Sequence, residues 1–407
     1  MSFQQGLSGL NAAAKNLDVI GNNVANSNTI GFKGARAEFA DVFANSLSGA
    51  GGAAIGIGTS VQAVPPSFSQ GNINVTSNPL DLAINGNGFF RVSQNGSLTY
   101  SRNGQFQLDK NGYIVNSSGD RLTGYAATAT GVVVPSTPVD LQVSRADLPP
   151  QATATSLVGV NLDSRSATLS AAAFDPTDPT TYNSATSLSI YDSLGNTHAL
   201  TLYFVKTASN TWSTFGTNDG TQIGAGALGV LHFTSAGAIN GATTTLPFNV
   251  STAVTTGATT PLAFTLDFTG STQFGSTFGV DTLSQDGYTS GRLSGFAVGG
   301  DGTVLGRYTN GQTRAQGQVV LASFTNPQGL QPLGDNQWGE TPNSGQPLIG
   351  TPGSGAVGAL QSSALEDSNV DLTAELVNMI TAQRVYQANA QTIKTQDSVL
   401  QTLVNLR

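Results

Sequence analysis

Residues 2–24 read SFQQGLSGLNAAAKNLDVIGNNV, and this stretch decides how the chain can fold. Its apolar side chains recur at spacings of three and four residues, which places them on one face of an α-helix. The same spacing returns near the other end of the chain, in residues 372–404. These apolar positions are Phe3, Leu7, Leu10, Ala14, Leu17, Ile20 and Val24, then Leu372, Leu376, Met379, Tyr386, Ile393, Leu400, Leu403 and Val404. The sequence therefore predicts one amphipathic helix at each end.

Neither predicted helix is expected to be stable by itself. Fully burying a large apolar side chain stabilises a structure by roughly 1.5–3 kcal/mol, whereas ordering one residue costs on the order of 1–2 kcal/mol. The two ends of one chain can pair with each other in either direction, and apolar residues then remain for neighbouring copies: Val19, Val377, Ile380, Val385 and Val399. We expect the ends to become ordered on self-association, and an ordinary intramolecular helical hairpin is the alternative.

The middle of the chain has the pattern of β structure. Asn-Gly pairs fall at 87–88, 95–96, 103–104 and 111–112, eight residues apart each time. Both residues of such a pair tolerate positive φ, as the tight turns of β-hairpins require. The four pairs therefore predict four successive hairpin turns in a β-meander.

Changes in composition along the chain predict its domains. Residues 146–282 are rich in Thr, Ala and Ser, and after residue 282 the chain returns to the short strands and Gly-containing turns of residues 71–145. The predicted fold class is mainly β, with two β-rich domains, one inserted in the other, and N- and C-terminal α-helices that form a coiled-coil-like terminal domain. The predicted boundaries are 1–30 and 366–407 for the terminal helical domain, 31–70 and 345–365 for linkers, 71–145 and 283–344 for the β domain, and 146–282 for the inserted outer β domain. Ser368 with Asp371 predicts the cap of the second helix.

Composition excludes several classes of function. The net charge of the 407 residues is -8, which argues against nucleic-acid binding because phosphate contacts need a basic face. The chain has no cysteine, so disulfides and thiolate chemistry are excluded. No apolar run approaches the roughly 20 residues of a transmembrane helix, and no cleavable signal peptide is visible at the N-terminus. We expect no membrane insertion.

The sequence offers no convincing catalytic set. His198 and His232 are the two histidines of the chain, and we interpret each as a residue on a strand face. Lys33 and Arg36 are interpreted as a solvated face, and the stretch Asp175–Pro179 as a turn. We predict no catalytic residue, no metal site and no cofactor.

Three stretches resemble the bacterial flagellar axial proteins, the family of rod and hook subunits. The residues that carry this resemblance are Asn22, Asn23, Ala25, Asn26, Thr29, Gly31, Phe32 and Lys33; Asn78, Pro79, Leu80, Asp81 and Leu82; and Ser368, Asn369, Val370 and Asp371. Residues 286–313 and the last seven residues are similar to the hook proteins in particular.

This resemblance implies a structural subunit that self-assembles into the flagellar hook, a curved tube that acts as a flexible universal joint and passes torque from rod to filament. It implies terminal helices that line the export channel, and assembly with rod, hook-cap and hook–filament junction proteins. It also implies export through the flagellar type III apparatus without a cleaved signal, and an extracellular location. We expect the glycine-rich segment 49–58 to let the outer domains shift against the helices.

Two other functions remain open from the residues. A distal rod subunit would share the end helices but would form a straight, stiff tube. An extracellular carbohydrate-binding protein or adhesin would need a groove lined by exposed aromatic side chains, and the chain has two tryptophans, Trp212 and Trp338.

Overall fold

A computed structural model describes residues 2–42, 56–94, 96–355 and 357–405, with side chains from Phe3 to Thr402 within those ranges. The chain forms two compact units. The first comprises Met1–Ser144, Gly295–Arg307 and Thr313–Arg407, and the second comprises Arg145–Ser294 and Tyr308–Gln312. The mainly β fold with a helix at each end is confirmed.

The first unit begins with helix α1 (Ser2–Ala25), as the apolar spacing predicts. The strands that follow before residue 145 are β1 (Glu38–Val42), β2 (Gly58–Ala63), β3 (Ile73–Val75), β4 (Leu82–Asn85), β5 (Phe89–Gln94), β6 (Ser97–Ser101), β7 (Gln107–Leu108), β8 (Ile114–Val115), β9 (Arg121–Ala126) and β10 (Val139–Asp140). Strands β1 and β2 pair antiparallel, so the first predicted linker contains an ordered strand pair. Most of the glycine-rich segment 49–58 lies outside the described residues.

The second unit consists of two five-stranded sheets. Its strands are β11 (Thr155–Asp163), β12 (Ser184–Tyr191), β13 (Thr197–Ala208), β14 (Thr211–Asn218), β15 (Thr221–Gln222), β16 (Gly229–His232), β17 (Phe248–Thr252), β18 (Leu262–Asp267), β19 (Thr272–Phe274) and β20 (Gly279–Gln285), with a 3-10 turn at Ala171–Ala173. One sheet has the order β17-β18-β11-β19 with β20 on β11, and the other has the order β12-β13-β14-β15 with β16 on β14.

Alternation along the strands builds the core of this unit. Leu200, Leu202 and Phe204 are every second residue of β13, and all three are fully buried. They pack in one cluster with Trp212, whose indole Nε1 donates to Gln273 Oε1 at 2.8 Å. The expected boundary at residue 282 falls inside β20, which pairs with β11, so the unit extends beyond it.

The chain then completes the sheet of the first unit. The remaining elements are β21 (Leu293–Val298), β22 (Thr303–Tyr308), β23 (Thr313–Val319), β24 (Leu321–Ser323), a 3-10 turn at Pro327–Gly329, β25 (Gln331–Gly334), β26 (Gln337–Gly339), β27 (Leu348–Gly350), β28 (Ala359–Ser362), β29 (Ala364–Glu366) and α2 (Leu372–Asn405). The main strand order is β21-β22-β23-β9-β5-β6-β26-β25. Residues before 145 thus pair directly with residues after 294, as predicted for sequence-distant halves.

The second predicted linker, 345–365, is corrected by the structure. Strand β27 pairs with β24, β28 pairs with β4, and β29 pairs with β3. The glycines and prolines of this segment mark turns between short strands, because backbone ladders to residues 73–85 and 321–323 supply the order that local periodicity lacks.

Two of the four predicted Asn-Gly hairpins are also corrected. Strands β4 and β5 do not pair with each other, and neither do β6 and β7, so the pairs at 87–88 and 103–104 connect strands that are not neighbours. Glycine at position 104 is required by a close backbone contact and not by a hairpin turn. A Cβ on Gly104 would overlap the backbone oxygen of Leu82, so this glycine allows two backbones to approach closely. The other two positions join paired strands, β5 with β6 and β7 with β8.

Candidate assembly interface

The terminal helices pack antiparallel through small residues. Gly6 of α1 faces Ile393 of α2, and a Cβ on Gly9 would lie 2.7 Å from Asn389 Oδ1. At the other end of the pair, Asn23 Nδ2 donates to Glu375 Oε1 at 3.3 Å. Because glycine has no Cβ, side chains of α2 occupy the space beside the α1 backbone on this face.

The predicted apolar stripe of α1 is therefore not the seam of the helix pair. Phe3 is 47% exposed and Leu7 is 43% exposed, while Leu10, Leu17 and Val24 are only partly buried. Ile20 is the member of the stripe that is buried. The periodicity predicts an apolar face, but Phe3 and Leu7 on this face are exposed in the single chain. The α1 residues that contact α2 directly include Gly6, Gly9 and Asn23.

Helix α2 presents even more apolar surface. It has 34 residues, against 24 in α1, and its end extends beyond the first turn of α1. Met379 and Ile393 are partly buried, whereas the exposed apolar side chains are Leu372, Leu376, Val377, Ile380, Val385, Tyr386, Val399 and Leu400. Leu403 and Val404 lie outside the residues whose side chains are described. Eight exposed large apolar side chains on one helix of a folded chain indicate an interaction site.

An open groove of about 790 Å³ lies between α1, α2 and the β1–β2 pair. Its lining is mainly small and apolar, with Val19, Ala37, Phe39, Ala382 and Val385 among the residues that form it. Two exposed apolar side chains line it, Val385 of α2 and Phe39 of β1.

We call the three stretches that resemble the family the first, second and third motifs, in chain order. The first motif, within residues 22–33, forms the turn that follows α1. Ala25 is the last residue of the helix, and Asn26 Nδ2 donates to Asn22 O at 3.0 Å. Thr29 Oγ1 donates to Asn26 Oδ1 at 3.2 Å, and the backbone N–H of Phe32 donates to Thr29 O at 3.2 Å.

Two residues of this motif fix the turn against other segments. Asn23 is buried and exchanges two hydrogen bonds with the backbone of Ala35, at 2.8 and 3.0 Å. Gly31 has a φ of +69°, and a Cβ there would lie 2.6 Å from the backbone nitrogen of Asn103. Only glycine fits this close contact with positive φ. The motif is therefore built to turn the chain from α1 onto the β sheet.

Lys33 corrects the expectation of a solvated face. Its side chain is fully buried, and its Nζ lies 2.7 Å from Glu366 Oε1. Arg102 NH1 lies 3.2 Å from Glu366 Oε2, and this guanidinium is also buried. Burial lowers the pKa of both Lys33 and Arg102, and the nearby Glu366 carboxylate acts in the opposite direction. We call these three residues the charge clasp.

The second and third motifs have local structural roles. Asn78 Nδ2 donates to Asp81 Oδ1 at 2.9 Å around Pro79, and Leu80 and Leu82 enter the core. The third motif connects the chain ends, with Val370 against Gly34 and with Asn369 Oδ1 accepting from the Gly34 N–H at 2.8 Å. The Asp371 carboxylate accepts from the N–H groups of residues 373 and 374, so it is the N-cap of α2. Ser368 instead bonds to the backbone nitrogen of Val370, which corrects the predicted cap.

Sequence reasoning missed Arg102, which completes the clasp. It lies next to an Asn-Gly pair that predicted a hairpin, and nothing in its neighbours signals a buried ion pair. Glu366 stands at the end of β29, within a stretch that resembles the family, but its partner Lys33 is 333 residues away in the chain.

Titratable groups elsewhere have structural partners. In the second unit, His198 Nδ1 lies 2.6 Å from Asp219 Oδ2 and Nε2 lies 3.3 Å from Asp192 Oδ2, so His198 is more than a residue on a strand face. Burial alone lowers the pKa of His198, but its hydrogen bonds to the two carboxylates prevail and raise it. Asp175 and Asp178 accept hydrogen bonds in turns, as predicted.

Within the described ranges, no group of three or more His, Asp and Glu side chains is arranged to hold a metal ion. Among the helices of the described residues, none is long and apolar enough to cross a membrane.

Protein-family models match most of the chain. Residues 3–33 match the model described as "Flagella basal body rod protein", and residues 361–406 match "Flagellar basal body rod FlgEFG protein C-terminal". Residues 83–146 match "Flagellar hook protein FlgE/F/G D1 domain", and residues 161–288 match "Flagellar basal body protein FlaE D2 domain". The matched segments include the terminal helices, part of the first-unit sheet and most of the second unit.

Curated relatives match over the full length. The chain is 45% identical over 415 residues to the flagellar hook protein FlgE of Salmonella typhimurium, covering 100% of both chains. It is 44% identical over 414 residues to that of Escherichia coli K12, again with 100% of both chains covered. The corresponding protein of Borreliella burgdorferi is 34% identical over 439 residues, with 100% of this chain and 99% of that one covered.

A solved structure supports the fold. The crystal structure of the Helicobacter pylori flagellar hook protein FlgE2 superposes with a TM-score of 0.54 at 13% sequence identity, covering 72% of this chain and 100% of that chain. At this identity the similarity concerns the fold alone.

Proposed function

The chain belongs to the family of flagellar hook proteins, and from that premise we propose that its terminal helices are the surfaces through which it builds the hook. The protein is a structural subunit of the bacterial flagellar hook. One observation carries the proposal: α1 exposes Phe3 and Leu7 near its start, and α2 exposes large apolar side chains from Leu372 to Leu400. A second copy that covers these faces would remove them from water, at roughly 25 cal/mol per Å² of apolar area.

The proposed assembly interface consists of the apolar positions on the two helices. On α1 these are Phe3, Leu7, Leu10, Leu17, Ile20 and Val24, of which Ile20 is buried in the single chain. On α2 they include Leu372, Leu376, Met379, Tyr386, Ile393 and Leu400. Repetition of one such contact between copies, head to tail, generates a helical polymer rather than a closed ring when the rotation does not close.

Several finer points belong to the same proposal. The tube is curved and bends as it turns, so that torque passes from the rod to the filament. The helices line its channel, and the β units lie outward. Rod, hook-cap and hook–filament junction proteins contact its ends, and the subunit is exported through the flagellar type III apparatus without a cleaved signal peptide. The role is mechanical, with no catalytic step.

A distal rod subunit is the second candidate, because the family models at both ends of the chain are named for basal body rod proteins. The full-length relatives and the match of residues 161–288 favour the hook. The two candidates differ in one visible property. Hook subunits would form curved tubes, and rod subunits would form straight ones.

Electron microscopy of the purified protein under polymerising conditions tests the proposal. We expect curved tubes from the full chain and no tubes from a matched protein that lacks the two helices, residues 1–25 and 372–407, but keeps Lys33, Arg102 and Glu366. Straight tubes would favour the rod assignment. Tubes from the trimmed protein, or no polymer from the full chain at any concentration, would contradict the role of the helices.

A further inference from the structure

The charge clasp joins three distant parts of the first unit. Lys33 follows the turn after α1, Arg102 follows β6, and Glu366 ends β29 just before α2. Glu366 Oε1 accepts from Lys33 Nζ at 2.7 Å and from the Gly71 N–H at 2.9 Å, and Glu366 Oε2 accepts from Arg102 NH1 at 3.2 Å. Each cation also donates to a backbone carbonyl, Lys33 to Ser69 O at 2.7 Å and Arg102 to Gly86 O at 2.9 Å.

Neighbouring backbone contacts converge on the same place. The Gly31 N–H donates to Glu366 O at 2.8 Å, and Asn336 Nδ2 donates to Ile30 O at 3.1 Å. The end of α1 and the approach to α2 are thereby both held on the sheet of the first unit, close to Arg102.

We propose that Glu366 is the docking point by which the terminal helices are locked onto the β sheet of the first unit in the assembled hook, so that force applied to one reaches the other through this carboxylate. The proposal rests on the proposed function, since it concerns the polymer. Assembly would then depend on this contact within each subunit as well as on the apolar contacts between copies.

The balance of buried charges explains why the Glu366 carboxylate is important for stability. Two buried cations share one buried anion, so the loss of the anion leaves two unpaired charges away from water. A buried pair contributes little net stability compared with an apolar replacement, but removing one partner is strongly destabilising. Glutamine at position 366 would have nearly the same shape as glutamate. Lys33 and Gly71 donate to one carboxylate oxygen and Arg102 donates to the other, so the NH₂ group of glutamine would face a hydrogen-bond donor in either orientation.

The experiment compares Glu366→Gln with Asp367→Asn, an adjacent carboxylate that is not part of the clasp and bonds to Asn74. The critical concentration for polymerisation is measured for each full-length variant, and hydrogen exchange is measured in the resulting tubes. For Glu366→Gln we expect the critical concentration to rise by about tenfold or more. We also expect residues 31–37 and 364–371 to lose protection, with no change in the second unit. Asp367→Asn is expected to match the wild type.

A double variant separates charge from packing. Lys33→Met combined with Glu366→Gln removes one of the two unpaired cations, so its critical concentration is expected to fall below that of Glu366→Gln alone. If only the shape of residue 366 mattered, the second substitution would make assembly worse. That result, or wild-type assembly and protection in Glu366→Gln, would overturn the proposal.

Two further outcomes are informative. If Glu366→Gln fails to fold, Lys33→Met alone is the decisive variant, because it keeps the Arg102–Glu366 pair. It should lose exchange protection in residues 31–37, and wild-type protection there would overturn the proposal. If the wild type and Asp367→Asn form no tubes, the proposed function fails; the proposal on the clasp fails only when tubes form and Glu366 proves dispensable.

Discussion

Gly9 of α1 lies directly against the side chain of Asn389 of α2: a Cβ on Gly9 would come within 2.7 Å of Asn389 Oδ1, so a larger residue at position 9 requires Asn389 to move. Gly6, on the preceding turn of the helix, would bring a Cβ to 3.2 Å from Ile393 Cγ1. Glycine at these two positions leaves room for side chains of α2 beside the α1 backbone. Leu7 on the same helix is 43% exposed and is available for contact with other copies of the chain.

Gly9→Val is expected to displace the Asn389 side chain from the helix pair and to weaken polymerisation. Valine has a higher intrinsic helix propensity than glycine, so a loss of assembly would arise from the clash and not from the helix itself. Polymer yield by sedimentation is the measurement.

Gly21→Ala is the matched control, because a Cβ there meets nothing within 4 Å. It should assemble as well as the wild type, with α1 stabilised by up to about 1 kcal/mol. Equal polymer yields from Gly9→Val and Gly21→Ala would contradict the close helix pair.

Leu376→Gln on the exposed face of α2 is expected to raise the critical concentration for polymerisation. The side chain is 44% exposed in the single chain, so its remaining apolar area is available for burial between copies. Loss of about 1.4 kcal/mol per contact corresponds to about a tenfold change.

The comparison for this prediction is Gln387→Ala, a polar and exposed position on the same helix. It should leave the critical concentration near that of the wild type, and circular dichroism should show unchanged β content in both variants. If Leu376→Gln assembles normally, this part of the face does not contact a neighbouring copy.

Asp371→Ala is expected to cost about 1 kcal/mol of stability at the start of α2, because the carboxylate accepts the N–H groups of Thr373 and Ala374. Ser368→Ala removes the residue that the sequence pattern predicts as a cap, and it should cost less. Hydrogen exchange of residues 372–376 in assembled tubes measures both effects. A larger loss of protection in Ser368→Ala would show that the cap has been wrongly assigned.

The second unit is expected to lose stability as the pH rises. Burial by itself lowers the pKa of His198, but hydrogen bonds to Asp219 and Asp192 raise it above its ordinary value. A raised pKa in the folded state means that protonated His198 contributes its stability fully below the unfolded pKa of about 6.5. That contribution is lost as the pH rises through the folded pKa.

Urea unfolding from pH 6 to pH 9 measures this dependence. A Trp338→Phe background leaves Trp212 of the second unit as the fluorescent reporter. His198→Gln should remove the part of the slope that lies above pH 6.5, and His232→Gln should retain it. An unchanged pH dependence in His198→Gln would refute the role of the imidazolium.

Much of the architecture could be predicted from the sequence. Repeated apolar residues in 2–24 and 372–404 predicted both helices, and Asn-Gly pairs predicted the β-hairpins at 95–96 and 111–112. These signals are local, because helix periodicity and turn dihedrals depend on residues a few positions apart. The hairpins expected at 87–88 and 103–104 were wrong because the strands on either side pair with other parts of the chain.

The candidate site was predicted less completely. The apolar positions on the helices were recognised, but the face used for the helix pair was not, because periodicity identifies an apolar face without identifying its partner. The motif residue Lys33 was recognised, but its burial was not. Its environment depends on Arg102 and Glu366, which lie 69 and 333 positions further along the chain.

The sequence by itself determined that the chain has a helix at each end and strands between them. It also led us to expect no cysteine or metal chemistry. Only the tertiary structure decided that Gly6 and Gly9 of α1 face side chains of α2, and that a buried carboxylate binds two cations from distant segments. The physical reason is that close packing and buried charge depend on which parts of the chain come into contact. Loops and long-range strand pairing determine those contacts.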